Sequence, residues 1–98
     1  MHLEIATISL EDGAAAGLVD AMRNGGGCDA LNSAPGCQSA KVMQGVEHPE
    51  NVLFLVEWDS VDAHNAARES EGFKKFQEIA GPYFARSSGG SMQHFDAS

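Results

Sequence analysis

The run Val52-Leu53-Phe54-Leu55-Val56 constrains this chain more than any other stretch. Five consecutive apolar residues do not alternate, and a strand that reads this way is buried on both faces. The chain has 98 residues, enough for one domain over residues 1–98 and no second. A domain of that size covers one face of a sheet with its own helices and keeps a thin core. The other face of the apolar strand needs a partner, and a second copy of the chain is the simplest one. The sequence therefore predicts a homodimer.

The formal net charge of −8, from 14 acidic against 6 basic residues, argues against nucleic acid or an anionic membrane as partners. The opening M-H-L-E-I-A-T-I lacks a basic segment followed by an apolar one, so no signal peptide is expected. No window approaches the roughly 20 apolar residues of a membrane span. Cys28 and Cys37 form no C-x-x-C pair and belong to no cluster with zinc spacing. They are expected as buried or partly buried thiols in a reducing cytoplasm, though a disulfide across a short loop is the alternative.

Period-two alternation over 2–10 predicts a strand, with Leu3, Ile5 and Thr7 on one face and Glu4, Ala6 and Ile8 on the other. Glu11-Asp12-Gly13 stops it. A helix follows over 14–24, with Leu18 and Met22 on one face, and Gly25-Gly26-Gly27 ends it. Residues 29–34 suit a short helical turn. Pro35-Gly36 launches a second strand from Cys37 to Val46, and His48-Pro49-Glu50-Asn51 reads as a hairpin loop. The apolar strand then runs to Trp58. Asp59-Ser60 signals a helix start, with helix over 61–69 interrupted by Ser70 and Gly72. Phe73, Phe76, Ile79 and Ala80 recur on a further helix, which Gly81-Pro82 is expected to break or kink. Residues 86–91 read as a Ser/Gly loop and 92–97 as a last strand. The order is β-α-β-β-α-β with a divided second helix, an α+β ferredoxin-like domain with a four-stranded antiparallel sheet.

The segment F-L-V-E-W-D-S-V-D-A-H-N-A-A-R-E-S-E-G-F-K-K-F, residues 54–76, resembles the third strand and second helix of the antibiotic biosynthesis monooxygenase family. A Trp closing the strand, a polar pair after it and a Phe fifteen positions on carry the likeness. Pro35-Gly36-Cys37 sits where that family begins its second strand. The resemblance implies a dimeric α/β barrel, with a cavity between sheet and helices in each protomer. Some members of the family oxidise aromatic substrates with dioxygen and without flavin or metal, and the resemblance implies no cofactor here. Another branch degrades heme. Gln77 stands at the place of its iron-ligating His, and an amide is a poor iron ligand.

Trp58 is the leading site candidate, since the resemblance puts it in the cavity wall with its N–H available to a carbonyl or peroxide oxygen. His64, in the D-A-H of the likeness, is a candidate proton shuttle because its ordinary pKa is about 6.5. Other relatives carry further His residues where this chain has Ala67 and Gly72. Thr7 lies inward if Leu3 and Ile5 do, and its hydroxyl is then a weaker counterpart of an Asn in the heme branch. Phe54, Phe73 and Phe76 are candidate substrate-contacting rings. His94 is a second candidate acid or base, and Tyr83 with Arg86 could close over a phenolate. Each residue also has a plain structural explanation: a core Trp, a half-buried His, a strand Thr, edge packing.

The resemblance thus implies a cofactor-independent monooxygenase acting on a small aromatic or quinol-like substrate with dioxygen. The alternative is a non-catalytic ligand-binding or stress-related protein on the same scaffold. An isomerase of a related barrel family would need a stronger acid/base pair than His64 with Asp62 or His94 supplies.

Overall fold

The computed structural model describes residues 2–11 and 13–96. Its elements are β1 (His2–Leu10), α1 (Ala14–Arg23), α2 (Gly27–Asn32), β2 (Cys37–Gln44), β3 (Asn51–Trp58), α3 (Val61–Ala67), α4 (Glu71–Phe84) and β4 (Ser87–Asp96). The apolar run is the middle of β3. Its contiguous hydrophobicity resolves into two faces: Val52, Phe54, Val56 and Trp58 are buried, and Leu53 and Leu55 on the other side are half-buried. The sheet has four strands in the order β2-β3-β1-β4, all pairs antiparallel, so β1 and β3 are central. This is the ferredoxin-like α+β architecture expected from the sequence.

The helices pack on the face that carries Val52, Phe54, Val56 and Trp58. Leu18 and Met22 of α1 and Phe76 and Ala80 of α4 fill the core against it. The register puts Ala40, Val56, Glu4 and His94 in one row across the sheet, and Val42, Phe54, Ala6 and Met92 in the next. Ser60 caps α3 by accepting from the Ala63 N–H at 3.0 Å. Ser70 caps α4 by accepting from the Phe73 N–H at 3.2 Å. The two serines divide the helical region into α3 and α4.

The structure departs from the sequence reading at two elements. The helix expected to break at Gly81-Pro82 continues to Phe84. Pro82 sits in the last turn, where the ring removes one N–H donor near an exposed helix end, and packing of Phe84 against Phe54 and Phe76 holds the turn. The loop expected over 86–91 is the first half of β4. Ser-Ser-Gly-Gly-Ser has no strand propensity of its own, but Ser87, Gly89, Gly90 and Ser91 pair with β1 and complete its outer ladder. The expected strand end at Ala97 lies outside the described residues, as does Asp12 of the first turn.

Cys28 and Cys37 are free, half-buried thiols. Burial chiefly pushes the Cys37 thiol up to about 11, so it stays protonated at neutral pH. Gly36 has φ +86°, and a Cβ there would lie 2.7 Å from the Ala63 Cβ. Gly36→Ala is accordingly expected to cost about 2 kcal/mol through left-handed strain, before any clash with α3. Urea denaturation checks this, and an unchanged midpoint would contradict it.

Candidate active site

Between the sheet and α2, α3 and α4 lies a cavity of about 360 Å³, a volume suited to a small organic ligand. Ala6, Ile8, Phe54, Val56, Phe73, Phe76, Phe84 and Met92 give it an apolar wall. The aromatic part is a connected cluster, with ring centroids 5.4 Å apart for Phe73–Phe76, 6.3 Å for Phe54–Phe76 and 5.8 Å for Phe54–Phe84. Rings held edge to face leave flat surfaces against which a planar ligand can lie.

The polar part of the wall is Glu4, His64, Arg68 and Gln77, beside Trp58. Glu4 is 8% exposed, His64 3% and Trp58 0%. A carboxylate this deep requires partners, because an isolated buried charge is costly. Trp58 Nε1 donates to Glu4 Oε1 at 2.9 Å. His64 Nε2 lies 3.4 Å from the same oxygen, longer than a good hydrogen bond. The His64 ring stacks on Trp58 at 4.7 Å and 18°. Its Nδ1 is 2.7 Å from His94 Nε2. The Glu4 charge favours the His64 proton on Nε2, the nitrogen facing it, which leaves Nδ1 to accept from His94 Nε2–H. Among the described residues the hydrogen bonds to Glu4 engage Oε1, so Oε2 is the oxygen available to the cavity.

Donor atoms of Glu4, His64 and His94 lie within 4.8 Å of one another, near enough to raise the question of a cation. His64 turns different ring nitrogens to its two neighbours, Nε2 to Glu4 and Nδ1 to His94. The three therefore form a row of neighbouring polar groups rather than a converging cage.

Burial holds the His64 imidazole below its ordinary pKa, His94 and Arg68 push the same way, and the Glu4 charge opposes them. His64 is thus neutral at neutral pH and able to accept a proton. A histidine with a lowered folded pKa stabilises the fold above its unfolded value of about 6.5, and that contribution is lost as pH falls toward the folded value. The expected result is a Tm that drops between pH 7.5 and 5, less steeply in His64→Gln. Equal slopes in thermal melts would contradict the assignment.

The structure brings Trp58, His64, Phe54, Phe73 and Phe76 to the cavity wall and puts His94 directly behind His64. Thr7 is not there. Leu3, Ile5 and Thr7 face away from the helices, and Thr7 is exposed and hydrogen-bonded to Ser91 at 3.1 Å. The inward face of β1 is the other one, Glu4, Ala6, Ile8 and Leu10. Trp58 is also corrected in role: its N–H is taken by Glu4 rather than free for a ligand. Tyr83 lies against Gly17 of α1, and Arg86 forms an ion pair with Glu11 at 3.4 Å, so neither is part of the cavity wall. The sequence did not single out Glu4 or Arg68, whereas Phe84, which with Tyr83 suggests an aromatic cluster near a pocket mouth or sheet edge, does line the cavity. The available signal for Glu4 was a charge on a central strand, two residues from apolar neighbours of the same parity.

Among the described residues no helix is long and apolar enough to cross a membrane. Solved structures share the fold. An antibiotic biosynthesis monooxygenase is 18% identical, with a TM-score of 0.79 over 100% of this chain and 99% of that one. A candidate antibiotic biosynthesis monooxygenase from Bordetella bronchiseptica is 22% identical, with a TM-score of 0.75 over 99% of this chain and 96% of that one. Another, from Deinococcus radiodurans, is 17% identical, with a TM-score of 0.74 over 100% and 93%. No curated protein matches the chain. The sequence profile described as antibiotic biosynthesis monooxygenase matches residues 1–79, most of the length, and the chain belongs to that family.

Proposed function

We propose that this protein is a monooxygenase that oxidises a small, flat aromatic or quinol-like substrate in the cavity, with dioxygen as co-substrate and no flavin or metal. The observation that carries the reading is the Glu4 carboxylate, set in an aromatic cavity and backed by the Trp58 N–H and the His64–His94 pair. A phenolic hydroxyl of the substrate donates its proton to Glu4 Oε2. Glu4 keeps that proton and returns it as water leaves the peroxide, while His64, held in turn by His94, keeps the carboxylate in place. The electron-rich anion left in the cavity transfers electrons to dioxygen. A carbon–oxygen bond forms at an activated ring carbon, and the peroxide loses water to give a ketone. Both electron pairs come from the substrate, so no external reductant is needed. The phenylalanine wall orients the ring and keeps water from the anion.

Anthrone, a flat phenol tautomer with one reactive methylene, is a suitable probe. The reading predicts catalytic oxygen uptake, one O2 per anthrone converted to the ketone. Binding of anthrone without uptake above the uncatalysed rate would overturn it in favour of a ligand-binding protein.

The proposal includes a homodimer in the cytoplasm. Leu3, Ile5, Leu53, Leu55 and Met43 lie on the sheet face away from the helices, and Phe95 on that face is 41% exposed. Such a face against a second copy would become the barrel interior. Sedimentation at micromolar concentration should give the dimer mass, and Leu55→Lys should give the monomer mass. A stable wild-type monomer would contradict this part. The free thiols agree with a reducing compartment.

A further inference from the structure

The basic side chains of the described residues have, with two exceptions, visible partners. Arg23 donates to the Val42 carbonyl at 2.7 Å, Lys74 and Lys75 lie beside Glu71 and Glu78, and Arg86 pairs with Glu11. Lys41, on the outward sheet face, and Arg68 have no ion pair or hydrogen bond among the described residues. Arg68 is the informative one because it lines the cavity. It follows α3 as the C-cap residue, one turn beyond His64 on the same helix face, and its charge is felt at His64.

Arg68 is exposed at the rim of the cavity, so its guanidinium is free to meet a ligand although carboxylates outnumber cations in the chain by more than two to one. It is also placed where a charge acts strongly. Apolar walls concentrate its field in the cavity mouth, and the planar fork of donors fits a carboxylate in two parallel hydrogen bonds. Gln77 of α4 is the other polar side chain on that wall besides Glu4 and His64, and its amide can add a donor. The cavity thus has two differently charged polar places: an acceptor, Glu4, backed by a neutral His, and a permanent cation, Arg68.

We propose that the ligand is an anion: a flat aromatic acid whose carboxylate is bound by Arg68 while its phenolic hydroxyl meets Glu4. This rests on the reading of the cavity as the substrate site and names the class of substrate within it. It also explains how the ligand is aligned, because a charge at one end and an acceptor at the other leave one orientation of a planar molecule.

A matched pair of air-stable probes tests it without turnover. 6-Hydroxy-2-naphthoate and 6-hydroxy-2-naphthamide have the same shape and hydroxyl and differ in charge. Calorimetric titration of the wild-type protein should show the naphthoate binding about tenfold tighter, the effect of one charge-assisted contact at a half-open site. Arg68→Met should remove most of that difference by weakening the naphthoate far more than the naphthamide, and Arg68→Lys should keep part of it. Equal binding of both probes by wild type, or an Arg68→Met variant that weakens both alike, would overturn the proposal. A charge preference with no oxygen uptake on any substrate would instead count against the oxygenase reading alone.

Discussion

Glu4→Gln is expected to lower kcat/KM on a phenolic substrate by a factor of about 10²–10⁴, the range that positioned general bases contribute. The substitution is close to isosteric. The amide oxygen can still accept from Trp58 Nε1, so the stacked Trp58–His64 pair keeps its place. What is lost is the capacity to take a proton. His94→Gln should have a smaller effect, since it removes a support of His64 and leaves the acceptor. That ordering distinguishes a Glu4 base from a His64 base, for which loss of His94 would matter at least as much as loss of Glu4. Circular dichroism and Tm must stay close to wild type for the comparison to be read.

Trp58→Ala should cost about 3–5 kcal/mol of stability, the usual range for deleting a large buried aromatic side chain. The ring is fully buried, closes the end of the central strand β3, and carries His64 on its face. Its N–H is also a hydrogen-bond donor to a buried carboxylate, so truncation leaves Glu4 poorly satisfied as well as opening a void. For a domain of this size the loss corresponds to a fall in Tm on the order of 20 °C. Trp58→Phe separates the two contributions: it fills most of the space but leaves Glu4 without its donor. Its cost should lie between wild type and Ala, with activity reduced further than stability. An Ala variant as stable as wild type would mean that the strand end is held by something other than this side chain.

Much of this architecture was legible because it depends on local signals. The non-alternating run of β3, the serines that cap α3 and α4, and the glycines after α1 each dictate their own segment. The site was only half legible. Trp58 and His64 lie in the segment 54–76 that carries the family likeness, so their inward direction could be read from that resemblance. The face of β1 could not. Leu3 and Ile5 outweigh Glu4 and Ala6 in hydrophobicity, which pointed Thr7 inward, whereas the structure turns the greasier side outward and buries the Glu. A strand with apolar residues on both faces carries no parity signal of its own. The partners that make Glu4 tolerable there, Trp58 and His64, are 54 and 60 positions away and become visible only once β1 and β3 are paired. The first half of β4 was hidden for a similar reason, since its Ser/Gly residues owe their strand conformation to the β1 ladder.

The central claim is that a substrate deprotonated by Glu4 supplies the electrons for oxygen insertion. Anthrone turnover in ¹⁸O2, by wild type and by Glu4→Gln, tests it most directly. The account predicts one labelled atom in the ketone, the other in water, and loss of the enzymatic rate in the variant. Unlabelled product, or a Glu4→Gln protein as fast as wild type, would contradict it.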